Sequence, residues 1–230
     1  MPGRFRADHH DSRVAIVFDD GGMNLLSRAA IDELRVLIRP LATGDRQLFT
    51  FNSGRPNLFA AGADMAEMQR FTPGEAEEFS RAGQELFAAI EKLPMLTIAV
   101  IDGDCFGGAL DLAMAFDLRF STPRSRFAHP GARLGIITGF GGTSRWRSVV
   151  SPAIARRLFI ANEVFSSSDA LAGGLVDRVA TDFSADFERL ASLDSKKVRA
   201  LKELSCHSAN LSQRQLVDLA RLLDALYSGS

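Results

Sequence analysis

Apolar positions along this chain recur with two periods that alternate. RVAIVFDD (13–20) and RQLFTFN (46–52) are short runs rich in β-branched and aromatic residues, the signature of strands. Between them, SRAAIDELRVLI (27–38) sets Ile31, Leu34 and Ile38 on one helical face, with Ser27 placed to cap it. TPGEAEEFSRAGQELFAAIEKL (72–93) repeats Phe79, Leu86 and Ile90 at helical spacing. Thr72 and Glu75 have the spacing of a capping box, and Pro73 suits the first helical position. LTIAVID (96–102) is a continuous apolar run, as in a strand covered on both faces. DLRFST (117–122) and GLVDRVA (174–180) read as further strands. From 184 onward the pattern is helical, with Leu216, Leu219, Leu223 and Leu226 striping SQRQLVDLARLLDALY (212–227). MPGRFRADHHDSR at the start is polar and reads as a flexible tail over 1–12. No repeat, long linker or low-complexity tract interrupts the alternation, so the pattern predicts an α/β fold with a helical C-terminal section.

Composition narrows the function classes. The chain has 230 residues, 46% hydrophobic and 24% charged, enough for one large domain or two small ones. Its 27 Lys and Arg against 28 Asp and Glu leave a net charge of −1, which gives no electrostatic reason to expect nucleic acid or an anionic membrane as partner. No apolar run approaches the roughly 18 residues of a membrane span, and the first residues lack the apolar segment of a secretory leader. Cys105 and Cys206 fit a reducing compartment without disulfides, so the expected location is cytoplasmic. His9 and His10 are adjacent with no third ligand nearby, and no metal is expected.

The candidate chemistry lies in glycine turns. In CFGGALDLAM (105–114), Gly107 and Gly108 open an apolar helix that then carries an acid, Asp111. A helix start offers backbone N–H groups with no intrahelical partner, which can hold an anion or a developing oxyanion. A second opening lies in LFAAGADMAEM (58–68), around Gly62. Neither fits a GxGxxG fingerprint or a Walker loop, and GFGGTS (139–144) lacks the Lys of a phosphate loop. On chemistry alone, these glycines can equally be tight turns.

Five motifs in order carry a resemblance. MNLLS (23–27), FAAGADMAEM (59–68), DGDCFGGALDLAMAFDLRFSTPRSRFAHP (102–130), LGIITGFGGTSRW (134–146) and SSDALAGGLVDRV (167–179) resemble those of the crotonase, or enoyl-CoA hydratase/isomerase, superfamily. The resemblance implies a spiral of repeated β-β-α units over a core of 13–182, followed by a C-terminal section, 183–230, shorter than the usual one. It implies an acyl-CoA thioester as substrate, with coenzyme A as part of that substrate and no permanently bound cofactor. It also implies a homotrimer or homohexamer.

By position, the resemblance puts the oxyanion-hole amides at Ala63 and Gly108. Ala61, Gly62, Asp64, Gly107, Gly131 and Gly139 fall around the substrate. Asp64 also resembles the helix-start acid of its loop. Hydratases of the family carry a Glu where this chain has Asp111, and dienoyl-CoA isomerases an Asp. The second Glu of the hydratases falls on Gly131, and the alternative acid of some isomerases near Gly139. The usual pair of carboxylates is thus reduced to one. His129 is the other titratable side chain near the pocket, and Asp111 and His129 are the catalytic candidates. Asp102 and Asp104 read as turn and cap residues. Three functions fit: an acyl-CoA lyase or isomerase with a non-standard acid/base set, an acyl-CoA-binding homologue with lost or altered catalysis, and a non-catalytic structural subunit.

Overall fold

A computed structural model describes residues 3–206, with side chains to 203. The chain opens on β1 (Phe5–His9) and β2 (Arg13–Phe18), followed by the short β3 (Leu25–Leu26) and α1 (Arg28–Ile38). Next come β4 (Leu48–Ser53), β5 (Leu58–Ala60), β6 (Gly62–Ala63), α2 (Met65–Met68) and α3 (Pro73–Glu91). A third unit is β7 (Leu96–Ile101), β8 (Asp104–Phe106) and α4 (Gly108–Ala113), and a fourth is β9 (Leu118–Ser121), β10 (Arg126–Ala128) and α5 (Gly131–Leu134). Then follow α6 (Gly142–Val149) and α7 (Pro152–Ala155), which runs into a π-turn over Arg156–Ile160. The described part ends with β11 (Phe165–Ser166), α8 (Ser167–Ala172), β12 (Arg178–Val179), α9 (Ser184–Ala191) and α10 (Ser195–Cys206).

The second, third and fourth units each send one strand to each of two sheets, which makes the spiral. β4, β7 and β9 lie side by side and parallel in a six-stranded sheet of order β1-β2-β4-β7-β9-β12, while β5, β8 and β10 lie in a four-stranded sheet of order β11-β10-β8-β5. β3 and β6 pair separately, with Leu26 opposite Ala63. The capping signals act as the pattern implies. Ser27 accepts from Ala30 N–H, and Thr72 and Glu75 close a capping box at the start of α3.

The unbroken apolar run of β7 has two destinations. Ala99 and Ile101 join the main core, where Phe18, Phe49, Phe51, Phe59, Phe87 and Phe127 are fully buried. Ile98 on the opposite face meets Phe120, Phe183 and Leu190, the cover supplied by α9. Core aromatics meet at edges and offsets, as with Phe51 against Phe59 at 5.7 Å between ring centres.

Three expectations need correction. The expected tail over 1–12 contains a strand: β1 pairs antiparallel with β2, and Phe5 stacks on Phe18 at 4.4 Å. Only Phe5 and Ala7 face inward while Arg6 pairs with Asp8 outside, so the stretch reads as polar although it forms a charged sheet edge. Asp102 and Asp104 are not caps. Asp104 stands opposite Arg126 across the β8–β10 ladder and pairs with it at 2.7 Å, and Asp102 takes Arg124 at 2.6 Å. The strand expected over 174–180 shortens to Arg178–Val179, because Leu175 and Val176 bury in the turn that closes α8. The stripe of 212–227 lies outside the described residues. No helix among the described residues is long and apolar enough to cross a membrane.

Candidate active site

The two glycine turns converge. Gly62 adopts φ +110°, and a Cβ there would stand 2.8 Å from Phe106 O and 3.3 Å from Gly108 N. Gly107 also has positive φ, +54°, at the bend from β8 into α4. A Cβ on Gly108 would lie 3.4 Å from Ala63 N, so the amides of Ala63 and Gly108 are neighbours across the contact. Asp64 donates its N–H to Leu26 O, on the β3 side. Neighbouring residues of a strand point their N–H groups to opposite sides, so the Ala63 N–H turns the other way. Gly108 is the first residue of α4, where an N–H has no intrahelical acceptor. Asn24 locks this corner. It is buried with φ 51°, and its amide donates to Phe18 O at 3.0 Å and Phe59 O at 3.1 Å.

The turns form one side of a cavity of about 270 Å³. Met65, Met68, Ala76 and Phe79 from α2 and α3 make a second wall, and residues 134 and 136–140 a third. This third wall is pinned to α3, since Gly139 O accepts from Ser80 Oγ at 2.6 Å and Gln84 Nε2 at 2.7 Å. Phe140 lies over Gly83, where a side chain would collide with its ring, and meets Phe79 edge-on at 5.1 Å. Among the described residues that line the cavity, His129 is the only titratable side chain.

Asp111 lies behind the wall and is 0% exposed. Thr138 donates its hydroxyl to Asp111 Oδ2. Asp111 Oδ1 faces His129 Nε2 at 3.5 Å, and both atoms are buried with no hydrogen-bond partner among the described residues. The carboxylate also abuts Gly142 at the start of α6, where any side chain would overlap it. The positive end of that helix favours a carboxylate there. The His129 ring is 5% exposed and stacks on Phe159 with centres 4.6 Å apart. Its Cε1–Nδ1 edge faces Gly131, at 3.3 Å from where a Cβ would stand. Burial, with the charge of Asp111 adding to it, pushes the nearby Cys105 thiol well above the ordinary range and keeps it protonated.

The structure therefore brings Ala61, Gly62, Ala63, Gly107, Gly108, His129, Gly131 and Gly139 to one cavity. Asp64 is a correction: its side chain caps α2 by accepting from Glu67 N–H at 3.0 Å, and it does not line this cavity. Thr138 and Gly142 were missed. A search for a carboxylate near 139 passes over a hydroxyl at 138. The third glycine of GFGG has no sequence signal until Asp111 is seen beside it.

Residues 12–220 match the family model described as enoyl-CoA hydratase/isomerase. The chain belongs to the enoyl-CoA hydratase/isomerase family. It is 30% identical over 206 residues to a crotonyl-CoA hydratase of Syntrophomonas wolfei, covering 88% of this chain and 79% of that protein. It is 31% identical over 158 residues to a short-chain-enoyl-CoA hydratase of Clostridium acetobutylicum, covering 68% of this chain and 60% of the relative. The fold matches an enoyl-CoA hydratase structure from Geobacillus kaustophilus with TM-score 0.91 at 23% identity, covering 100% of this chain and 90% of that one. It matches Pseudomonas aeruginosa DspI with TM-score 0.89 at 24% identity, covering 98% and 96%. The β-β-α spiral is thus the crotonase fold of this family.

Proposed function

We propose that this family member holds an acyl-CoA thioester with its carbonyl oxygen on the N–H groups of Ala63 and Gly108. There it stabilises a thioester enolate during a 1,3-proton shift of a double bond. The convergence of two glycine turns on an apolar cavity carries this reading. The oxygen gains negative charge as the enolate forms, so preorganised donors stabilise the transition state more than the ground state. Hydration across a double bond asks for one group to activate water and another to protonate carbon. Among the described residues the cavity lining offers His129 alone as a titratable group, and the resemblance puts Gly131 where hydratases of the family place an acid. A proton shift needs only one group, which takes the proton at one carbon and returns it at the other.

Hydration is the second reading, favoured by the 30% identity to a crotonyl-CoA hydratase. One pair of assays separates the two. Isomerisation of but-3-enoyl-CoA creates the conjugated enoyl thioester and raises its absorbance, whereas hydration of crotonyl-CoA removes it. The expected result is a rise with the first substrate and little change with the second. Gly108→Pro removes one donor N–H and should lower the rate by about 10²–10³, on the order of 3–4 kcal/mol. Full activity in a folded Gly108→Pro protein refutes the oxyanion assignment. Binding of both thioesters without turnover supports the acyl-CoA-binding homologue, and absence of binding supports the structural subunit.

A further inference from the structure

We infer that His129, through Nδ1, is the group that exchanges the proton with the substrate, and that Asp111 acts behind it as a positioning residue. The inference rests on the acyl-thioester reading above and names the base that reading requires.

Asp111 is sealed from the cavity. It has no exposed surface, and its carboxylate oxygens face Thr138 and His129, which line the cavity in front of it. Its unpartnered Oδ1 and the unpartnered His129 Nε2 are both buried and face each other at 3.5 Å. Buried polar atoms find partners, and a small ring rotation closes this gap to a hydrogen bond. An ionised Asp111 accepts only, so Nε2 carries the hydrogen. The neutral imidazole then has its lone pair on Nδ1, on the ring edge that faces Gly131 in the cavity wall. Thr138 holds the other carboxylate oxygen and Phe159 holds the ring plane, so the tautomer and the orientation are both set.

The step balances without a second protein acid. Nδ1 takes the proton from C2 of a 3-enoyl thioester. The C–H electron pair becomes part of a dienolate, whose charge rests on the thioester oxygen at Ala63 and Gly108. The imidazolium, stabilised by Asp111, returns the proton at C4, and the double bond moves from C3–C4 to C2–C3.

Three measurements test this. Nitrogen-15 spectra of the native protein should show His129 in the Nε2–H tautomer, with Nδ1 unprotonated. Butyryl-CoA in deuterated water should exchange its C2 hydrogens on the native protein, a readout of enolate formation that needs no double bond. A thermal shift with butyryl-CoA reports binding in every variant. His129→Gln should keep binding and lose exchange by about 10²–10⁴-fold. Asp111→Asn keeps the shape but presents an N–H to Nε2. It should move the ring hydrogen to Nδ1 and slow exchange by at least about tenfold.

An Nδ1–H tautomer in the native protein overturns the inference, and so does native exchange in His129→Gln. Unchanged tautomer and exchange in Asp111→Asn remove Asp111 from the mechanism. Binding without exchange in the native protein overturns His129 as base while leaving the thioester site standing. Absence of binding overturns the acyl-thioester reading, and the tautomer still decides the Asp111–His129 pair.

Discussion

Gly142→Ala adds one methyl group at the most confined point beside Asp111. The new Cβ would overlap the carboxylate, with Cγ at 2.6 Å and Oδ2 at 3.1 Å. Asp111 cannot step aside, because it is fully buried and tied to Thr138. Overpacking of this kind costs about 1–3 kcal/mol. Replacing Gly by Ala where the backbone permits returns about 0.4–1 kcal/mol. A net loss of about 1 kcal/mol remains, which for a domain of this size lowers Tm by about 2–4 °C. The decisive assay is a double-mutant cycle by thermal unfolding. In an Asp111→Ala background the obstructing carboxylate is gone, so Gly142→Ala should become neutral or slightly stabilising, for a coupling of about 2 kcal/mol. Equal costs in the two backgrounds would show that the α6 start does not press on Asp111, and the packing argument for this glycine would fail.

Other outcomes follow from the same geometry. Asn24→Ala removes one donor from each of the carbonyls of Phe18 and Phe59, the first of which keeps Gly54 N–H, and puts a non-glycine, non-Asn residue at φ 51°; it should destabilise by about 2–4 kcal/mol in chemical denaturation, and an effect under about 1 kcal/mol would refute its role as the lock. The raised Cys105 thiol should resist iodoacetamide in the folded protein at neutral pH. Its folded pKa lies above its unfolded value, so the thiolate appears only as pH climbs past the ordinary thiol range or as the chain unfolds; prompt labelling of Cys105 located by mass spectrometry would contradict this. Assembly is expected as a trimer or pair of trimers, and light scattering showing a stable 25 kDa monomer at micromolar concentration would reject it.

The regular elements were legible where periodicity and capping agreed. Thr72, Pro73 and Glu75 mark the start of α3 by local chemistry that needs no tertiary contact. The run at 96–101 signals two-sided burial because both faces of β7 are covered. β1 escaped because an edge strand with charges on its outer face has the composition of a tail. At the site, the motifs locate both turns, since a backbone amide needs small residues around it. They do not show that Asp111 lies behind Thr138 and His129 in the cavity wall. Side-chain direction depends on which neighbours share the space, and Thr138, His129 and Gly142 come from three later segments.

Those neighbours also connect the two departures from the family pattern. A side chain at 131 would begin 2.8 Å from Ile136 O and 3.3 Å from the Cε1–Nδ1 edge of His129. The carbonyl is backbone, in a loop closed by Ile136 N–H donating to Gly131 O at 3.0 Å, and it cannot swing away cheaply. The histidine is stacked on Phe159 and faces Asp111, so it cannot leave without giving up both contacts. Glycine at 131 and an inward His129 therefore belong together: the ring edge sits beside the space that a second carboxylate would enter. Asp111 fits the same arrangement, since its shorter side chain stays behind the wall, where a glutamate would reach one C–C bond further. Restoring Glu at 131 alone thus adds an acid where the imidazole and a carbonyl already stand.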